Sequence, residues 1–72
     1  MKTIYTKEHR KLIALLRDAR LAAGLTQVQV AKALKRPQSF VAHVESGQRR
    51  VDAIELQVFA RLYKKPLSFF QL

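Results

Sequence analysis

The apolar positions of this chain recur at helical spacing in several short segments, separated by capping residues, Gly or Pro. The clearest segment is residues 26–47. Its apolar positions recur in the first half at Val30, Ala31 and Leu34, and in the second half at Phe40, Val41 and Val44. In the second half this pattern leaves Gln38, Ser39, Ala42 and His43 on the outer side. The segment therefore predicts two short amphipathic helices.

The residues at the ends of these two helices predict how they are joined. Thr26 and Gln29 have the spacing of a capping box, which starts the first helix. Pro37 lacks an amide hydrogen and disfavours the helical conformation at Arg36, so the first helix should end there, and Pro also suits the start of the second. Gly47 provides a left-handed stop. Two helices joined by so short a turn cross steeply, as in a helix-turn-helix.

Three further helices are predicted outside this segment. Thr6 can cap a helix that runs to about Ala23, and its apolar stripe comprises Leu12, Leu15, Leu16, Ala19 and Ala23. Asp52 and Glu55 form a second capping pair for a helix that buries Ile54, Val58 and Leu62, with Phe59 and Tyr63 as an aromatic pair beside them. Pro66 begins a short last helix. The prediction is an all-α fold of five helices.

Length and charge restrict the class of protein. Seventy-two residues allow one small domain over 1–72, with residues 1–6 as an arm and residues 67–72 as a separate apolar segment. Fourteen Lys and Arg against five Asp and Glu give a net charge of +9, which favours a polyanionic partner. Nucleic acid is the first candidate and an anionic membrane surface the second. With no apolar run of about 20 residues, no signal-peptide pattern and no cysteine, we expect a cytoplasmic protein that does not span a membrane.

Candidate catalytic groups are few. Asp52 and Glu55 are the one close carboxylate pair, and helix capping accounts for both. The chain has no Gly-rich phosphate loop, its serines lack a nearby His and acid, and its two histidines are isolated. We therefore expect neither an enzyme nor a cofactor or metal site.

The stretches GLTQVQVAKAL and PQSFVAHVESGQRR are similar to the lambda repressor and Cro-type helix-turn-helix family, often called the XRE family. That pattern has Gly-Leu-Ser/Thr-Gln opening its first helix, Ala in the middle of that helix, Ile or Val inside the second, and Glu-x-Gly with a basic residue after it. The similarity covers roughly residues 12–70. It implies a five-helix, lambda-repressor-like domain that binds double-stranded DNA. Two departures are the sequence Lys35-Arg36-Pro37 in place of a Gly-containing turn, and Phe59 where small residues are common.

The resemblance also implies roles for particular residues. Gln38, Ser39 and His43 match the base-reading positions, although His43 could instead meet a phosphate or be a solvated surface residue. The candidates for phosphate contacts are Gln27, Lys35, Arg36, Arg49 and Arg50. Arg20 and Glu45 match a mostly buried ion pair of the family. Phe40, where small polar residues are common, either contacts a thymine methyl or packs against the partner helix.

The C-terminal segment points to a protein partner. A core of this size absorbs about one Phe, so an exposed apolar patch is expected, and in the family this region often forms the dimer interface; its residues are Leu67, Phe69, Phe70 and Leu72. The alternative is that all four fold inward. We expect a homodimeric repressor of bacterial or phage origin that reads a two-fold operator. It would be cytoplasmic, and associated with the nucleoid when bound to DNA. The competing hypothesis is an antitoxin that binds a toxin protein as well as its own promoter.

Overall fold

The computed structural model describes residues 6–70, which fold into four α-helices and one short 3₁₀ segment. The α-helices are α1 (Lys7–Ala22), α2 (Gln27–Leu34), α3 (Gln38–Ser46) and α4 (Ala53–Leu62), and Leu67–Phe70 forms the 3₁₀ segment. Within this part of the chain there is no strand, so the all-α prediction is confirmed. The count of five α-helices is not, because the last element is a single 3₁₀ turn. The predicted arm lies outside the described residues except for Thr6.

Side-chain caps begin three of the helices where the sequence predicted them. The Thr6 hydroxyl accepts the amide hydrogen of His9 at the start of α1. Thr26 and Gln29 exchange both bonds of a capping box at the start of α2, and Asp52 and Glu55 do so at the start of α4. These bonds satisfy amides that the first turn of a helix leaves without a partner. They fix where α2 and α4 begin.

The turn between α2 and α3 depends on Lys35, which adopts the left-handed conformation with φ 58°. The amide of Arg36 then donates to the carbonyl of Ala31 at 2.9 Å and closes the end of α2. Pro37 follows in an extended conformation and precedes the first residue of α3. The turn therefore forms without a glycine, because Lys35 adopts a left-handed conformation that glycine would adopt at lower cost.

The core lies around α3, which packs against both α1 and α2, while the 3₁₀ segment packs against α1 and α4. The prediction that Ile54 and Val58 face inward from α4 is wrong, because their side chains are 73% and 39% exposed. The buried face of α4 is formed by Phe59, Ala60 and, just past its end, Tyr63. Burying two aromatic rings removes more apolar surface from water than burying the aliphatic face would, and the helix is rotated accordingly.

Three phenylalanines lie in the core, and one of them, Phe70, comes from the C-terminal segment. The Phe40 and Phe59 rings stack with centroids 6.2 Å apart, and Phe70, the last residue of the 3₁₀ segment, is buried. Phe69 is half-buried and lies edge-on to Phe70 at 5.0 Å. Leu67 remains 46% exposed. Of the segment predicted as a dimer interface, Phe70 is therefore a core residue, and Leu72 lies beyond the residues that the structure describes.

Candidate nucleic-acid interface

One face of α3 is polar and exposed, while the other belongs to the core. Gln38, Ser39 and His43 are exposed. The residues between and beyond them that face inward are Phe40, Val41 and Val44, all buried. This division follows from the helical repeat of 3.6 residues. Phe40 is packed inside, where its ring stacks on Phe59 of α4. The polar face is therefore presented on a helix whose opposite side is fixed in the core.

A buried ion pair joins α3 to α1. The guanidinium of Arg20 donates to both carboxylate oxygens of Glu45, at 2.7 and 3.0 Å, and to the carbonyl of Leu25 at 2.8 Å. The two side chains are only 10% and 7% exposed. The hydrogen bond to Glu45 raises the pKa of Arg20, against the opposing effect of burial. A bidentate pair of this kind fixes both the position and the rotation of α3 relative to α1.

Two glutamines extend this network to the exposed face. The side-chain amide of Gln27, the first residue of α2, donates to Glu45 at 3.1 Å. The side-chain amide of Gln38, the first residue of α3, donates to the side-chain oxygen of Gln27 at 3.4 Å. Gln27 is thus held between the ion pair and a predicted base-reading residue. Its amide retains a second N–H, so a contact to phosphate is chemically available in addition.

A second cluster surrounds Phe40 at the end of α3 nearest the turn. The guanidinium carbons of Arg36 and Arg49 lie 4.3 and 4.7 Å from the centroid of the Phe40 ring. Both arginines also approach the same oxygen of Glu55, with nitrogen-oxygen distances of 3.7 and 2.7 Å. Two cations that the sequence predicted for phosphate contacts are therefore gathered around one ring and one carboxylate. We call these four residues the Phe40 cluster.

Sequence reasoning missed the role of Glu55 in this cluster. It identified Glu55 only as the partner of Asp52 in a capping box, and that bond is present at 3.1 Å. The other carboxylate oxygen is free to accept Arg49, because the cap uses only one of the two. The available signal was the scarcity of acids, since a chain with five Asp and Glu among fourteen Lys and Arg seldom leaves an acid without a basic neighbour.

The candidate phosphate-binding residues border the polar face of α3 on different sides. Gln27 begins α2, Lys35 and Arg36 occupy the turn before α3, and Arg49 and Arg50 follow α3 in the loop to α4. Lys35 and Arg50 are exposed. The result is a helix with hydrogen-bonding side chains in the middle and cations around it. Such an arrangement fits a groove of bases between two charged backbones.

Within the described part of the chain, none of the helices has the length and apolar character needed to cross a membrane.

Comparison with known proteins agrees with this geometry. No curated protein matches the sequence. The model of a protein family described as a helix-turn-helix domain matches residues 12–66, a span that includes α2, α3, α4 and most of α1. Since this match covers most of the chain, the protein belongs to the helix-turn-helix domain family and is consistent with the lambda repressor and Cro type that its motifs resemble.

Proposed function

We propose that the protein is a sequence-specific regulator that binds double-stranded DNA through the major groove. The family makes DNA the expected partner. The observation that carries the proposal is the exposed polar face of α3, held rigidly by the Arg20 and Glu45 pair and bordered by cations. A helix has the right diameter for the major groove, and the buried pair limits the entropy lost when α3 is positioned there.

Gln38, Ser39 and His43 are the proposed base contacts. The amide of Gln38 can bond the N6 and N7 groups of adenine together, whereas the hydroxyl of Ser39 is less selective. Gln38 is already oriented by Gln27 in the unbound protein. Its preference for adenine should therefore be the strongest of the three.

The proposed phosphate contacts give affinity without sequence preference. They come from both ends of α3 and from the first turn of α2, and the residues are Gln27, Lys35, Arg36, Arg49 and Arg50. Each phosphate neutralised by a basic side chain makes the slope of log affinity against log salt steeper by about 0.9. For Arg49→Ala we expect a shallower slope than for the wild type. An unchanged slope would remove Arg49 from the contact surface.

We further propose that the protein acts as a homodimer on a two-fold operator, with half-sites about 34 Å apart, and represses by occupancy in the bacterial or phage-infected cytoplasm. The C-terminal surface predicted for this contact retains Leu67 and Phe69, but not Phe70, which is buried. Ile54 and Val58 of α4 add exposed apolar side chains. Equilibrium sedimentation of the wild type tests the dimer.

The experiment that tests direct reading combines selection and substitution. Bound sequences are selected from random duplex DNA, and the affinity of Gln38→Ala is then measured on the selected site and on a site with one adenine replaced. We expect a loss of discrimination of about 1–3 kcal/mol. Gln57→Ala, at an exposed position of α4, is the matched control. Equal weakening of Gln38→Ala on selected and random DNA would contradict direct reading.

A second candidate function is that of an antitoxin, a DNA-binding protein with a toxin as its protein partner. The exposed Ile54, Val58 and Leu67 favour some protein contact. Affinity purification from the native host distinguishes the two cases. A small partner recovered at one copy per chain supports the antitoxin, whereas self-association alone supports the simple repressor.

A further inference from the structure

The Phe40 cluster contains a negative charge at a position where the proposed function requires positive charge. Glu55 is 16% exposed and accepts Arg49 at 2.7 Å, with Arg36 at 3.7 Å from the same oxygen. Its other oxygen accepts the amide of Asp52 at the start of α4. The carboxylate is therefore held from both sides. Arg49 is hydrogen-bonded to it, and Arg36 lies within ion-pair distance.

The ring of Phe40 determines where the two guanidinium groups rest. Phe40 is buried and stacked on Phe59, so its ring is a fixed surface. Arginine stacks favourably on an aromatic face, and both guanidinium groups lie within 5 Å of this ring centroid. Because both also approach one carboxylate oxygen, they converge on a single point. Ring and carboxylate together order two long side chains before any ligand arrives.

The two arginines retain hydrogen-bond donors for an anion. A guanidinium carries five N–H donors, and Arg49 uses two of them, for Glu55 and for the carbonyl of Arg50. Arg36 makes one longer contact to Glu55 and is 45% exposed in its side chain. Two ordered, partly exposed guanidinium groups match the oxygens of a phosphate, which Arg binds in a bidentate manner.

We propose that Glu55 is a positioning residue that holds Arg36 and Arg49 as a clamp for one DNA phosphate beside α3, and that its negative charge restrains their binding to random DNA. This inference rests on the proposed function. An unrestrained pair of arginines attracts any polyanion equally. With Glu55 present, part of that attraction is offset, and the orientation of the clamp favours the phosphate that α3 brings into place when its base contacts form.

The decisive variant is Glu55→Gln. A Gln at this position keeps the oxygen that accepts the amide of Asp52, so the capping box and the fold are retained. It removes the charge that holds the arginines. Asp18→Asn, at an exposed position of α1, changes the net charge equally and is the matched control. Thermal unfolding of both variants verifies the fold.

Binding to random duplex DNA and to a selected site is measured over a range of salt concentrations. We expect Glu55→Gln to bind random DNA about two- to fivefold more tightly than Asp18→Asn at low salt, the size of one solvent-screened charge pair. We also expect a steeper salt slope and a smaller ratio of selected-site to random affinity. Equal slopes and equal ratios for the two variants would overturn the role of Glu55.

Inorganic phosphate tests the clamp without nucleic acid. In a titration followed by NMR of the arginine Nε–H groups, we expect the signals of Arg36 and Arg49 to shift together, and those of Arg17 and Arg61 to stay. If phosphate shifts the pair but duplex DNA does not bind the wild type, the pair is an anion site, but the proposed function fails and the DNA clamp fails with it. If DNA binds but the pair does not respond to phosphate, the clamp fails and the proposed function stands.

Discussion

Replacing Arg20 alone should destabilise the protein strongly, because its partner would remain buried. Arg20→Met removes two charged hydrogen bonds to Glu45 and one bond to the carbonyl of Leu25. The side chain of Glu45, which is 7% exposed, would keep the side-chain amide of Gln27 as a hydrogen-bond donor but lose its countercharge. Breaking a buried pair from one side costs about 3–5 kcal/mol. A domain of this size has a total stability of roughly 4–11 kcal/mol.

The double variant Arg20→Met with Glu45→Leu separates this effect from packing. Buried ion pairs are often replaced by apolar residues with little loss, because neither charge must then be kept out of water. We therefore expect the double variant to lie within about 2 kcal/mol of the wild type. Its DNA affinity should still fall, because Gln27 loses the carboxylate that orients it.

Urea unfolding followed by circular dichroism gives the free energies by linear extrapolation. The reasoning would be refuted if Arg20→Met cost under about 1 kcal/mol, the size expected of an exposed pair. It would also be refuted if the double variant were as unstable as the single one. A double variant that is stable and binds DNA as the wild type does would contradict the role given to Gln27.

Three further predictions concern backbone and burial. Gly47 and Gly24 both have positive φ, but a Cβ at Gly47 would lie 3.1 Å from a side-chain carbon of Ile13, whereas a Cβ at Gly24 would have no atom within 4 Å. Gly24→Ala should therefore lower the free energy of unfolding by about 1–2 kcal/mol, and Gly47→Ala should lower it by more, as measured by urea unfolding. Lys35→Gly should raise the unfolding free energy by about 0.5–1 kcal/mol over Lys35→Ala, which removes the same charge but keeps the strain; equal values would show that the left-handed turn is not strained. Burial, aided by the charge of Glu45, raises the pKa of Tyr63 above its usual 10.0. The stability that the neutral phenol contributes is therefore complete below about pH 10 and is lost as the pH rises further. Between pH 9 and 11, the free energy of unfolding of Tyr63→Phe should fall less than that of the wild type.

The sequence predicted helix starts and the polar face of α3 well, because both are local. Thr26 with Gln29, and Asp52 with Glu55, lie within one helical turn, so their bonds follow from spacing alone. The exposure of Gln38 likewise follows from the repeat of the helix. Local patterns of this kind need no knowledge of which helices meet.

Contacts between distant segments were less predictable. Phe40 and Phe59 both stand where the pattern that the sequence resembles has small residues, and nothing in the sequence indicates that their rings meet. In the structure the two rings stack, which rotates α4 and leaves Ile54 exposed. The apolar face of α4 is ambiguous by periodicity, since Ile54 and Val58 are spaced as well as Phe59 and Tyr63 are. Packing partners decide between such faces, and one sequence does not name them.

The division of α3 into a buried and an exposed side has a consequence for how the protein can diversify. Phe40, Val41 and Val44 maintain the fold, whereas the outward side chains of the same helix contribute little to the core. On the proposed function, substitutions at Ser39 and His43 should therefore change the preferred operator at almost no thermodynamic expense. Under that proposal, new specificities would accumulate on this scaffold by single mutations, without compensating changes elsewhere.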